Sequence, residues 1–576
     1  MGDNENRKVY KARQVKNYRE MVEYSCKNYA QNIAYKYKKD YTAKNVEYIE
    51  KTYEQVGKDI KAFGTGLLNL DLMGERIVVV GKNRYEWCIS YLATTCSNMV
   101  IVPIDKALPD IEMQRLIERS EAKAIIFDEK YLETIKKVQE KENSNLKTLI
   151  CMDNIQEKGI KTFNEILEEG RNQIKNGDQK YDNIEIDENK MSIMLFTSGT
   201  TNEPKAVMLS QANICANISN IACWVKLYPT DVLLSFLPIH HTFECTITFL
   251  YGFYSGSQVA FCDGLKHIQQ NLKEYKVSVF VAVPLVLETM YKKIQKAIEE
   301  QGKTGLINKM TKISNTLLKA KIDIRKIVFK QILDNFGGNL RVVLYGAAPM
   351  NKATIIGYNN LGISLVQGYG LTETSPVVTA ETDKEKRPGS IGLALANLNL
   401  KIANPDNEGV GEITVKGPSV MLGYYKNPEE TKKVLKDGWF STGDYGYKDK
   451  DGFVYITGRK KDIIVLKNGK NVYPQEIEFL INKIPYIAES LVYSRDKDTT
   501  DTMLCAKIVY DKDAIKQMIG EKTEEEYKEI IWQEIKKINQ ELPIFKKIKN
   551  ITITTEPLKK TTTQKVKRYE ELKNLT

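Results

Sequence analysis

A short loop rich in hydroxyl side chains follows an apolar stretch that ends at Phe196. Its sequence is Thr197-Ser198-Gly199-Thr200-Thr201-Asn202-Glu203-Pro204-Lys205. Backbone N–H groups in a loop of this composition can surround an anion, the hydroxyl groups add donors, and Lys205 adds a positive charge. The pattern GxxxxGK(S/T) of a Walker loop is absent. The loop is therefore either a phosphate-binding loop of another type or a hydroxyl-rich turn between a strand and a helix.

A second segment combines an aromatic ring, two glycines, a hydroxyl group and a carboxylate. Its sequence is Gln367-Gly368-Tyr369-Gly370-Leu371-Thr372-Glu373-Thr374. An aromatic ring can stack on a base, a hydroxyl can bind phosphate and a carboxylate can hold Mg²⁺. Taken alone, the segment could equally be an ordinary turn with a capping threonine.

Other candidates are isolated polar residues. Asp444 follows Gly443 and would usually be a turn residue, and Lys565 lies in a basic tail where lysines are usually surface charges. The chain has three histidines, His240, His241 and His267, and a single histidine is more often structural than functional.

The elements that would position these residues follow from short apolar runs. Such runs occur at Ile77–Val80, Ala124–Ile126, Ser192–Phe196, Val277–Val283 and Arg341–Tyr345, with helix-like stretches between them. Fully apolar strands alternating with helices indicate a parallel sheet covered on both faces. The first ~450 residues are therefore predicted to be α/β and doubly wound.

The pattern changes after Val410. Strand-like pieces at Glu412–Lys416 and Gly452–Thr457 are separated by turn residues. A smaller unit follows, with a hairpin at Ile463–Val472, a helix opening at Pro474 and a strand near Cys505–Tyr510. A chain of 576 residues exceeds the roughly 250–300 residues that one core supports, so several domains are expected. We place the boundary at Lys461, giving domains 1–460 and 461–576.

Composition restricts the class of protein. The nine cysteines are scattered without CxxC pairs, which predicts reduced thiols and a cytoplasmic location. Neither a signal peptide nor a spanning segment is expected. The net charge of +11 is compatible with polyanionic ligands or an anionic membrane surface, but also with a lysine-rich composition alone. No nucleic-acid-binding motif is present, so no nucleic acid is predicted as a partner.

The motifs together resemble those of the adenylate-forming superfamily, in its long-chain fatty acid–CoA ligase (acyl-CoA synthetase) branch. The first loop is similar to that family's TSGTTGxPKG signature, with Asn202 and Ala206 in place of glycines, and the resemblance extends from about Asn17 to Arg568. It implies a large N-terminal domain of doubly wound sheets with a β-barrel-like subdomain, and a small mobile α+β C-terminal domain. It also implies ATP, Mg²⁺ and coenzyme A as cofactors or cosubstrates.

The resemblance also implies roles for individual residues. Tyr369 and Gly370 would lie at the adenine, Thr372 at the α-phosphate and Glu373 on Mg²⁺. Gly346 and Ala347 of Tyr345-Gly346-Ala347-Ala348-Pro349 match the strand end along the adenine and acyl sites. Asp444 and Arg459 would contact the ribose. His241, three residues after Pro238, would lie near the incoming carboxylate.

The same resemblance assigns roles in the C-terminal domain. Lys461 matches the hinge, and Gly469 belongs to a loop that approaches the pantetheine of coenzyme A. Thr561-Thr562-Thr563-Gln564-Lys565-Val566-Lys567-Arg568 is similar to the family's terminal lysine motif, with Thr562 in place of proline. Lys565 would bridge the substrate carboxylate and the α-phosphate.

The expected function is ATP-dependent activation of a medium- to long-chain fatty acid to acyl-AMP, followed by transfer to coenzyme A. A basic insertion that closes on Gly337-Gly338-Asn339-Leu340-Arg341 favours the long-chain branch. Two alternatives stay open: an adenylate-forming enzyme that loads a carrier protein, and an acyl or nucleotide sensor without turnover. A kinase is disfavoured because Walker and kinase motifs are missing. A homodimer and peripheral contact with a membrane are also left open.

Overall fold

The structure is a computed structural model that describes residues 7–43, 45–197, 204–466, 470–496, 502–560 and 566–573. Contacts along the chain divide it into two compact units. The first comprises residues up to Leu400 together with Val415–Phe440, and the second comprises Lys401–Thr414 and the residues from Ser441 onward.

Nineteen α-helices are present in these described ranges. In chain order, α1 to α19 are Tyr18–Asn28, Tyr53–Leu68, Tyr85–Cys96, Asp110–Ser120, Leu132–Gln139, Phe163–Lys175, Gln211–Trp224, Gly252–Tyr254, Ile268–Glu274, Pro284–Glu300, Thr304–Lys319, Arg325–Val328, Lys330–Leu333, Lys352–Asn360, Pro428–Val434, Pro474–Ile481, Lys512–Ile519, Glu524–Glu541 and Arg568–Leu572.

Twenty-seven strands accompany these helices in the same ranges. In chain order, β1 to β27 are Ile33–Lys38, Tyr48–Thr52, Arg76–Val80, Val100–Pro103, Ala124–Phe127, Thr148–Cys151, Ile160–Thr162, Met191–Thr197, Lys205–Ser210, Val232–Ser235, Gln258–Phe261, Val279–Ala282, Val342–Tyr345, Ser364–Gly370, Val377–Ala380, Leu393–Ala394, Asn399–Ala403, Gly411–Lys416, Gly423–Tyr424, Leu435–Lys436, Trp439–Lys448, Val454–Arg459, Ile464–Val465, Asn471–Val472, Ile487–Asp496, Thr502–Tyr510 and Asn550–Thr554.

Two large sheets form the frame of the first unit. One has nine strands in the order β16-β15-β14-β13-β12-β10-β11-β1-β2, and the other has eight in the order β19-β9-β8-β4-β3-β5-β6-β7. Neighbours from β14 through β12, β10 and β11 to β1 are parallel, as are those from β8 through β3 to β7. Apolar residues of β12 and β13 are fully buried because both faces of the sheet are covered.

Each large sheet ends on one side in antiparallel strands, and the candidate motifs lie there. Strand β9 returns against β8 as a hairpin, and β19 then pairs antiparallel with β9. Strand β15 returns against β14 in the same way. The ends of these hairpins therefore carry both the hydroxyl-rich loop and the segment around Glu373.

The remaining strands form smaller sheets. Strands β17, β18, β20, β21 and β22 form a five-stranded sheet. In the second unit, β23 pairs with β24, and β25, β26 and β27 form a three-stranded sheet. A core of hydrophobic residues, mostly aliphatic with several tyrosines, is formed by α16, α18 and this last sheet in the second unit.

The predicted fold class is confirmed: the protein is mixed α/β, with parallel sheets in a large N-terminal part. Strands β3, β5, β8, β12 and β13 lie at the five apolar runs, and Pro474 begins α16. The domain boundary at Lys461 and the mobility of the C-terminal domain stay predictions. The nine cysteines are all free thiols. In the part of the chain that the structure describes, every helix is too short or too polar to span a bilayer.

Candidate active site

The hairpin of β8 and β9 brackets the hydroxyl-rich loop. Thr197, the last residue of β8, pairs with Lys205, the first residue of β9. The Thr197 Oγ1 donates a hydrogen bond to the Lys205 carbonyl at 3.4 Å. The predicted loop residues Ser198, Gly199, Thr200 and Thr201 lie outside the described residues. The two described ends of the loop are therefore held side by side by the sheet.

Lys205 is held by one carboxylate and one aromatic ring. Its Nζ donates to Glu430 Oε2 at 2.6 Å and lies 5.0 Å from the centroid of the Tyr424 ring. Glu430 lies in the first turn of α15, which Asn427 caps by accepting a hydrogen bond from the Glu430 N–H. Hydrogen bonds from Lys205 and Lys433 lower the pKa of Glu430 to about 2. Glu430 is therefore an anion at neutral pH, and it fixes the ammonium of Lys205, the first residue of β9.

Tyr424 connects Lys205 to the predicted metal ligand. Strand β19 places Tyr424 opposite Val207 of β9, one position from Ala206. The Tyr424 hydroxyl donates to Glu373 Oε1 at 3.0 Å, and the Met421 N–H donates to the Glu373 carbonyl at 2.9 Å. Burial and the adjacent Glu373 carboxylate raise the pKa of Tyr424, so its hydroxyl stays a donor. Two motifs distant in sequence thus share one tyrosine.

The backbone of the turn that presents Thr372 and Glu373 is held in one conformation. Thr372–Thr374 is a single 3₁₀ turn directly after β14. A Cβ added at Gly370 would lie 1.7 Å from the Pro376 carbonyl oxygen, so only glycine fits there. The buried Asn217 of α7 donates to the Val377 carbonyl at 2.7 Å and accepts from its N–H at 3.2 Å. The turn is therefore fixed from both the sheet and a helix.

The predicted adenine-side residues lie at the carboxyl ends of β13 and β14. Gly346 follows β13, and a Cβ there would lie 2.6 Å from the Gly368 carbonyl oxygen. Ala347 has φ +71°, a conformation that costs energy in a non-glycine residue. Tyr369 pairs with Thr379 of β15 in the antiparallel edge. Gly346, Ala347, Tyr369 and Gly370 are therefore brought to one edge of the nine-stranded sheet.

His240 and His241 follow β10 at the same edge. The His241 N–H donates to the Pro238 carbonyl at 3.0 Å, and the His241 ring centroid lies 6.4 Å from that of His240. The His240 Nε2 lies 3.7 Å from Asp105 Oδ2, and burial lowers the pKa of His240. Phe243 of this segment would be 3.8 Å from a Cβ on Gly346, so the histidine segment and the end of β13 are neighbours.

A buried carboxyl group that the sequence did not single out begins a π-helical stretch, Glu244–Tyr251. The Glu244 side chain is fully buried, and its Oε2 accepts a hydrogen bond from Thr248 at 2.9 Å. Burial raises its pKa from 4.5 to about 8. Glu244 is therefore mostly protonated at neutral pH.

The second unit holds the predicted ribose contacts. Asp444 of β21 pairs with Arg459 of β22, and the Arg459 Nε lies 2.8 Å from Asp444 Oδ1. The Asp444 N–H donates to Thr442 Oγ1 at 3.1 Å, and the Asp444 side chain is only 3% exposed. A buried carboxylate held by one guanidinium is well suited to accept hydrogen bonds from a diol.

The terminal motif is described only at its end. Arg568 donates to Glu478 Oε1 at 2.7 Å and to the Val492 carbonyl at 2.6 Å, which anchors this end on α16 and β25. Lys461 lies in a 3₁₀ turn, and loss of solvent around its ammonium lowers its pKa. Lys565 and Gly469 lie outside the described residues, so their predicted roles stay predictions.

Glu373 of the first unit is the predicted ligand of a metal ion. Among the described residues, no group of three or more His, Cys, Asp or Glu side chains could form a complete protein cage. Glu373 offers a carboxylate that Tyr424 orients through one oxygen. Mg²⁺ typically binds one or two carboxylates and takes its other ligands from water and substrate phosphates. The residues present therefore fit Mg²⁺ that arrives with a nucleotide.

Tyr424, Glu430 and Asn217 were missed by the sequence interpretation. The segment Asn427-Pro428-Glu429-Glu430 carries the signals of a helix start, with a capping Asn and a Pro at the first position. That signal places Glu430 on a helix but does not bring it to Lys205. The contact depends on pairing between β19 and β9, which short-range patterns do not encode.

Comparison with known proteins adds two family models and several relatives. The model for "AMP-binding enzyme" matches residues 22–425, and the model for "AMP-binding enzyme C-terminal domain" matches residues 461–575. Long-chain-fatty-acid–CoA ligase 6 of Mus musculus is 30% identical over 498 residues, covering 81% of this chain and 70% of the mouse protein.

Other matches extend this likeness. Long-chain-fatty-acid–[acyl-carrier-protein] ligase AEE15, chloroplastic, of Arabidopsis thaliana is 28% identical over 564 residues, covering 85% of this chain and 76% of the plant protein. The crystal structure of ATP-bound MatB from Rhodopseudomonas palustris superposes with a TM-score of 0.74 at 23% identity, covering 97% of this chain and 99% of MatB. At that identity the structural match shows a common fold.

Proposed function

Because the chain belongs to the AMP-binding enzyme family, we propose that it is an acid–thiol ligase that activates a carboxylic acid through an acyl-adenylate. The acid is a medium- to long-chain fatty acid, and the acceptor is the thiol of coenzyme A. ATP and coenzyme A are consumed as substrates. The products are acyl-CoA, AMP and pyrophosphate.

In the first half-reaction, a carboxylate oxygen of the acid attacks the α-phosphorus of ATP. A new O–P bond forms, and the bond to pyrophosphate breaks with its electron pair. A carboxylate is already anionic at neutral pH, so this attack needs no general base. The work of the protein is to position the reactants and to offset their negative charge.

The observation that carries this proposal is the contact of Tyr424 with both Lys205 and Glu373. The tyrosine hydroxyl orients the Glu373 carboxylate at 3.0 Å, while its ring lies 5.0 Å from the Lys205 ammonium. A cation beside a hydroxyl-rich loop and a carboxylate able to hold a metal ion suit a nucleotide triphosphate. We assign Lys205 to the phosphates and Thr372 to the α-phosphate.

Mg²⁺ bound with ATP would be held by Glu373 and would offset the charge of the phosphates. Asp444 and Arg459 would bind the ribose hydroxyls, because their ion pair fixes an accepting carboxylate. Lys565 would bridge the acid and the α-phosphate, as the family resemblance implies. His241 would lie beside the incoming carboxylate.

In the second half-reaction, the sulfur of the acceptor attacks the carbonyl carbon of the adenylate. A C–S bond forms, the C–O bond to AMP breaks, and the thiol proton is released to solvent. Water must be kept away from the mixed anhydride until the thiol arrives. The predicted movement of the C-terminal domain about Lys461 would serve that purpose.

The choice of acid rests on the relatives. The mouse and plant relatives are both named as ligases of long-chain fatty acids, which supports a fatty acid substrate for this chain. Their names differ in the thiol acceptor: one is coenzyme A and the other is an acyl carrier protein. Loading of a carrier protein is therefore the second candidate function. A cytoplasmic location and a homodimer stay predictions from the sequence.

The proposal is tested by incubating the purified protein with MgATP and acids from acetate to oleate. Coenzyme A is the acceptor in one series and a phosphopantetheinylated carrier protein in the other. Mass spectrometry should detect AMP and acyl-CoA, with the greatest yield for the longer acids. If the acylated carrier protein is the only thioester formed, the second candidate function is supported. ATP that is not consumed with any acid would contradict both candidates and favour a sensor.

A further inference from the structure

The histidine loop, defined as residues 236–243, connects β10 of the nine-stranded sheet to the π-helical stretch that begins at Glu244. Within the loop, the His241 N–H donates to the Pro238 carbonyl at 3.0 Å. Proline has no N–H of its own. The backbone groups on either side of Pro238 are therefore the ones through which a residue outside the loop can hold it.

Asn83 holds those groups from the other large sheet. It lies between β3 and α3, and β3 belongs to the eight-stranded sheet. The Asn83 Nδ2 donates to the Leu237 carbonyl at 2.7 Å, and the Asn83 Oδ1 accepts from the Ile239 N–H at 3.3 Å. One amide side chain thus binds the backbone on both sides of Pro238, as the backbone of a neighbouring strand would.

A third hydrogen bond of Asn83 ties the loop to the strand before it. The Asn83 Nδ2 also donates, at 2.9 Å, to the Oγ of Ser235, the buried last residue of β10. An asparagine amide offers two N–H donors and a carbonyl acceptor, and both donors and the acceptor are used here. Ionised aspartate would lack the donors, and alanine would lack the acceptor as well.

The segment that carries Asn83 is anchored by ion pairs to its own sheet. The guanidinium of Arg84 donates to Asp128 Oδ1 at 3.0 Å and to Asp153 Oδ1 at 2.7 Å. The Lys82 N–H donates to Asp128 Oδ2 at 2.7 Å. Asp128 directly follows β5, and Asp153 lies two residues after β6. Residues 82–84 are therefore fixed to the eight-stranded sheet, which gives Asn83 a fixed base.

A second contact joins the two sheets at the same loop. Asp105 lies two residues after β4, and its Oδ2 is 3.7 Å from the Nε2 of His240. Because β3 and β4 are parallel neighbours, Asn83 and Asp105 reach the histidine loop from adjacent strand ends. At the end of the loop, Phe243 would be 3.8 Å from a Cβ on Gly346. The histidine loop therefore lies between the eight-stranded sheet and the end of β13.

We propose that Asn83 is a positioning residue, which clamps the histidine loop and thereby fixes His241 at the edge where the acid reacts. The clamp sets where the turn to His241 begins, since the His241 N–H is bonded to the Pro238 carbonyl. In this role Asn83 acts through the loop and not on the reacting atoms. The consequence for catalysis rests on the proposed function and on the predicted place of His241, whereas the clamp itself does not.

The clamp is tested without turnover by NMR of the full-length protein labelled with ¹³Cε1-histidine. The chain has three histidines, so three ring signals are expected, and the variants His240→Gln, His241→Gln and His267→Gln assign them. Asn83→Ala and Asn83→Asp should each shift the signals of His240 and His241. The signal of His267, which follows β11, should stay in place.

The control for this experiment is Asn69→Ala. Asn69 is also half-buried in the first unit, and its Nδ2 donates to the Thr65 carbonyl at 3.1 Å and to Gln173 Oε1 at 2.5 Å. This variant loses a comparable amide bridge outside the histidine loop, so all three signals should stay in place. Unchanged signals of both loop histidines in Asn83→Ala would overturn the clamp. An equal displacement of the His267 signal would also overturn it, because the whole unit would then have loosened.

The positioning role is tested by ATP–pyrophosphate exchange with hexadecanoate. Asn83→Ala should raise the KM for the acid on the order of 10-fold, since hydrogen bonds that place the loop are lost. The KM for ATP should stay within a factor of about two of the wild-type value, because the phosphate-binding residues are not moved. Equal increases in both KM values would overturn the positioning role, as would an unchanged KM for the acid in a variant whose His241 signal has shifted.

The two experiments separate the clamp from the reaction. Wild-type protein that shows no exchange with any acid would contradict the proposed function and, with it, the catalytic consequence of the clamp. The NMR signals would still decide whether Asn83 holds the histidine loop, because they require neither ATP nor an acid.

Discussion

At the scale of single residues, Tyr424 has two neighbours of opposite charge. Its hydroxyl donates to the Glu373 carboxylate, and its ring lies beside the Lys205 ammonium. The same ammonium donates a hydrogen bond to Glu430 at 2.6 Å. Tyr424 and Glu430 thus position the Lys205 ammonium and the Glu373 carboxylate, the two charges that we propose bind a magnesium–nucleotide complex.

Tyr424→Phe should slow acyl-adenylate formation by roughly 10- to 100-fold, because a hydrogen bond to a charged group is lost while the ring remains. ATP–pyrophosphate exchange measures this half-reaction, and the Mg²⁺ concentration for half-maximal exchange should rise. The control is Tyr425→Phe, since the Tyr425 hydroxyl contacts Arg76 and Glu121 instead. If Tyr424→Phe catalyses ATP–pyrophosphate exchange as fast as Tyr425→Phe, the proposed role of Tyr424 is contradicted.

Glu244 provides a pH-dependent prediction for stability. Its pKa is about 8 in the folded protein against an ordinary 4.5, so between these values the folded state binds more protons than the unfolded state. The free energy of unfolding must then fall as pH rises through that window, by up to about 5 kcal/mol from this group. Glu244→Gln lacks the titrating proton and should lose less stability over the same range.

Thermal melts of wild type and Glu244→Gln across that pH window measure the difference. The exposed Glu299→Gln is the control and should follow the wild type. Parallel curves for wild type and Glu244→Gln would show that burial does not hold the proton on Glu244.

Residue types and their order identified the candidate residues, whose roles stay predictions, but contacts between distant elements were not predictable. The hydroxyl-rich loop and the segment around Glu373 were recognised because each combines several functional groups within a few residues. Tyr424 and Glu430 are ordinary in their local sequence. Their position depends on the pairing of β19 with β9, and that pairing is decided by the whole sheet.

At the scale of elements, two antiparallel hairpins, one in each large sheet, determine the positions of the candidate residues. The strand β14 ends at Gly370, after which the chain turns sharply and returns as β15. The turn leaves no space beside Gly370, because a Cβ would lie 1.7 Å from the Pro376 carbonyl oxygen. Thr372 and Glu373 therefore depend on this glycine for their position.

Gly370→Ala should lower the rate of ATP–pyrophosphate exchange by about 100-fold or more, since even a 1 Å misplacement of reacting groups can cost that much. Overpacking should cost about 1–3 kcal/mol of unfolding free energy, which a thermal melt would detect. Gly305→Ala in α11 is the control, because a Cβ there meets nothing within 4 Å. Normal exchange by Gly370→Ala would contradict the account of this turn.

The elements themselves were largely predictable. Apolar runs at Ile77–Val80 and Ala124–Ile126 were identified as strands because a strand buried on both faces must be apolar throughout. The structure has β3 and β5 there. The short antiparallel strands β16 and β19 have two residues each and too little pattern to predict. Their partners fix them instead.

At the scale of the whole molecule, the chain consists of two units, and the candidate residues are divided between them. Lys205, Thr372 and Glu373 belong to the first unit, and Asp444 and Arg459 belong to the second. The family resemblance predicts that the C-terminal domain changes its orientation about Lys461 between the two half-reactions. Two separate catalytic steps are then expected to respond differently to one substitution.

Lys461→Pro should restrict the backbone at the hinge, since proline fixes φ. Adenylate formation, measured by pyrophosphate exchange, should stay near the wild-type rate, while thioester formation from supplied acyl-adenylate should fall by about 100-fold. Lys565→Ala should give the opposite pattern. Equal loss of both half-reactions in either variant, with an unchanged melting temperature, would contradict the assignment of that residue.

The central claim is that the carboxylate of a fatty acid attacks the α-phosphorus of ATP. It is tested most directly by supplying hexadecanoate labelled with ¹⁸O in its carboxyl group together with MgATP and coenzyme A. The account predicts that one ¹⁸O atom appears in the phosphate of AMP, because the C–O bond to the labelled oxygen breaks when the thiol attacks. Acyl-CoA formed with unlabelled AMP, or with ADP and labelled inorganic phosphate, would contradict it.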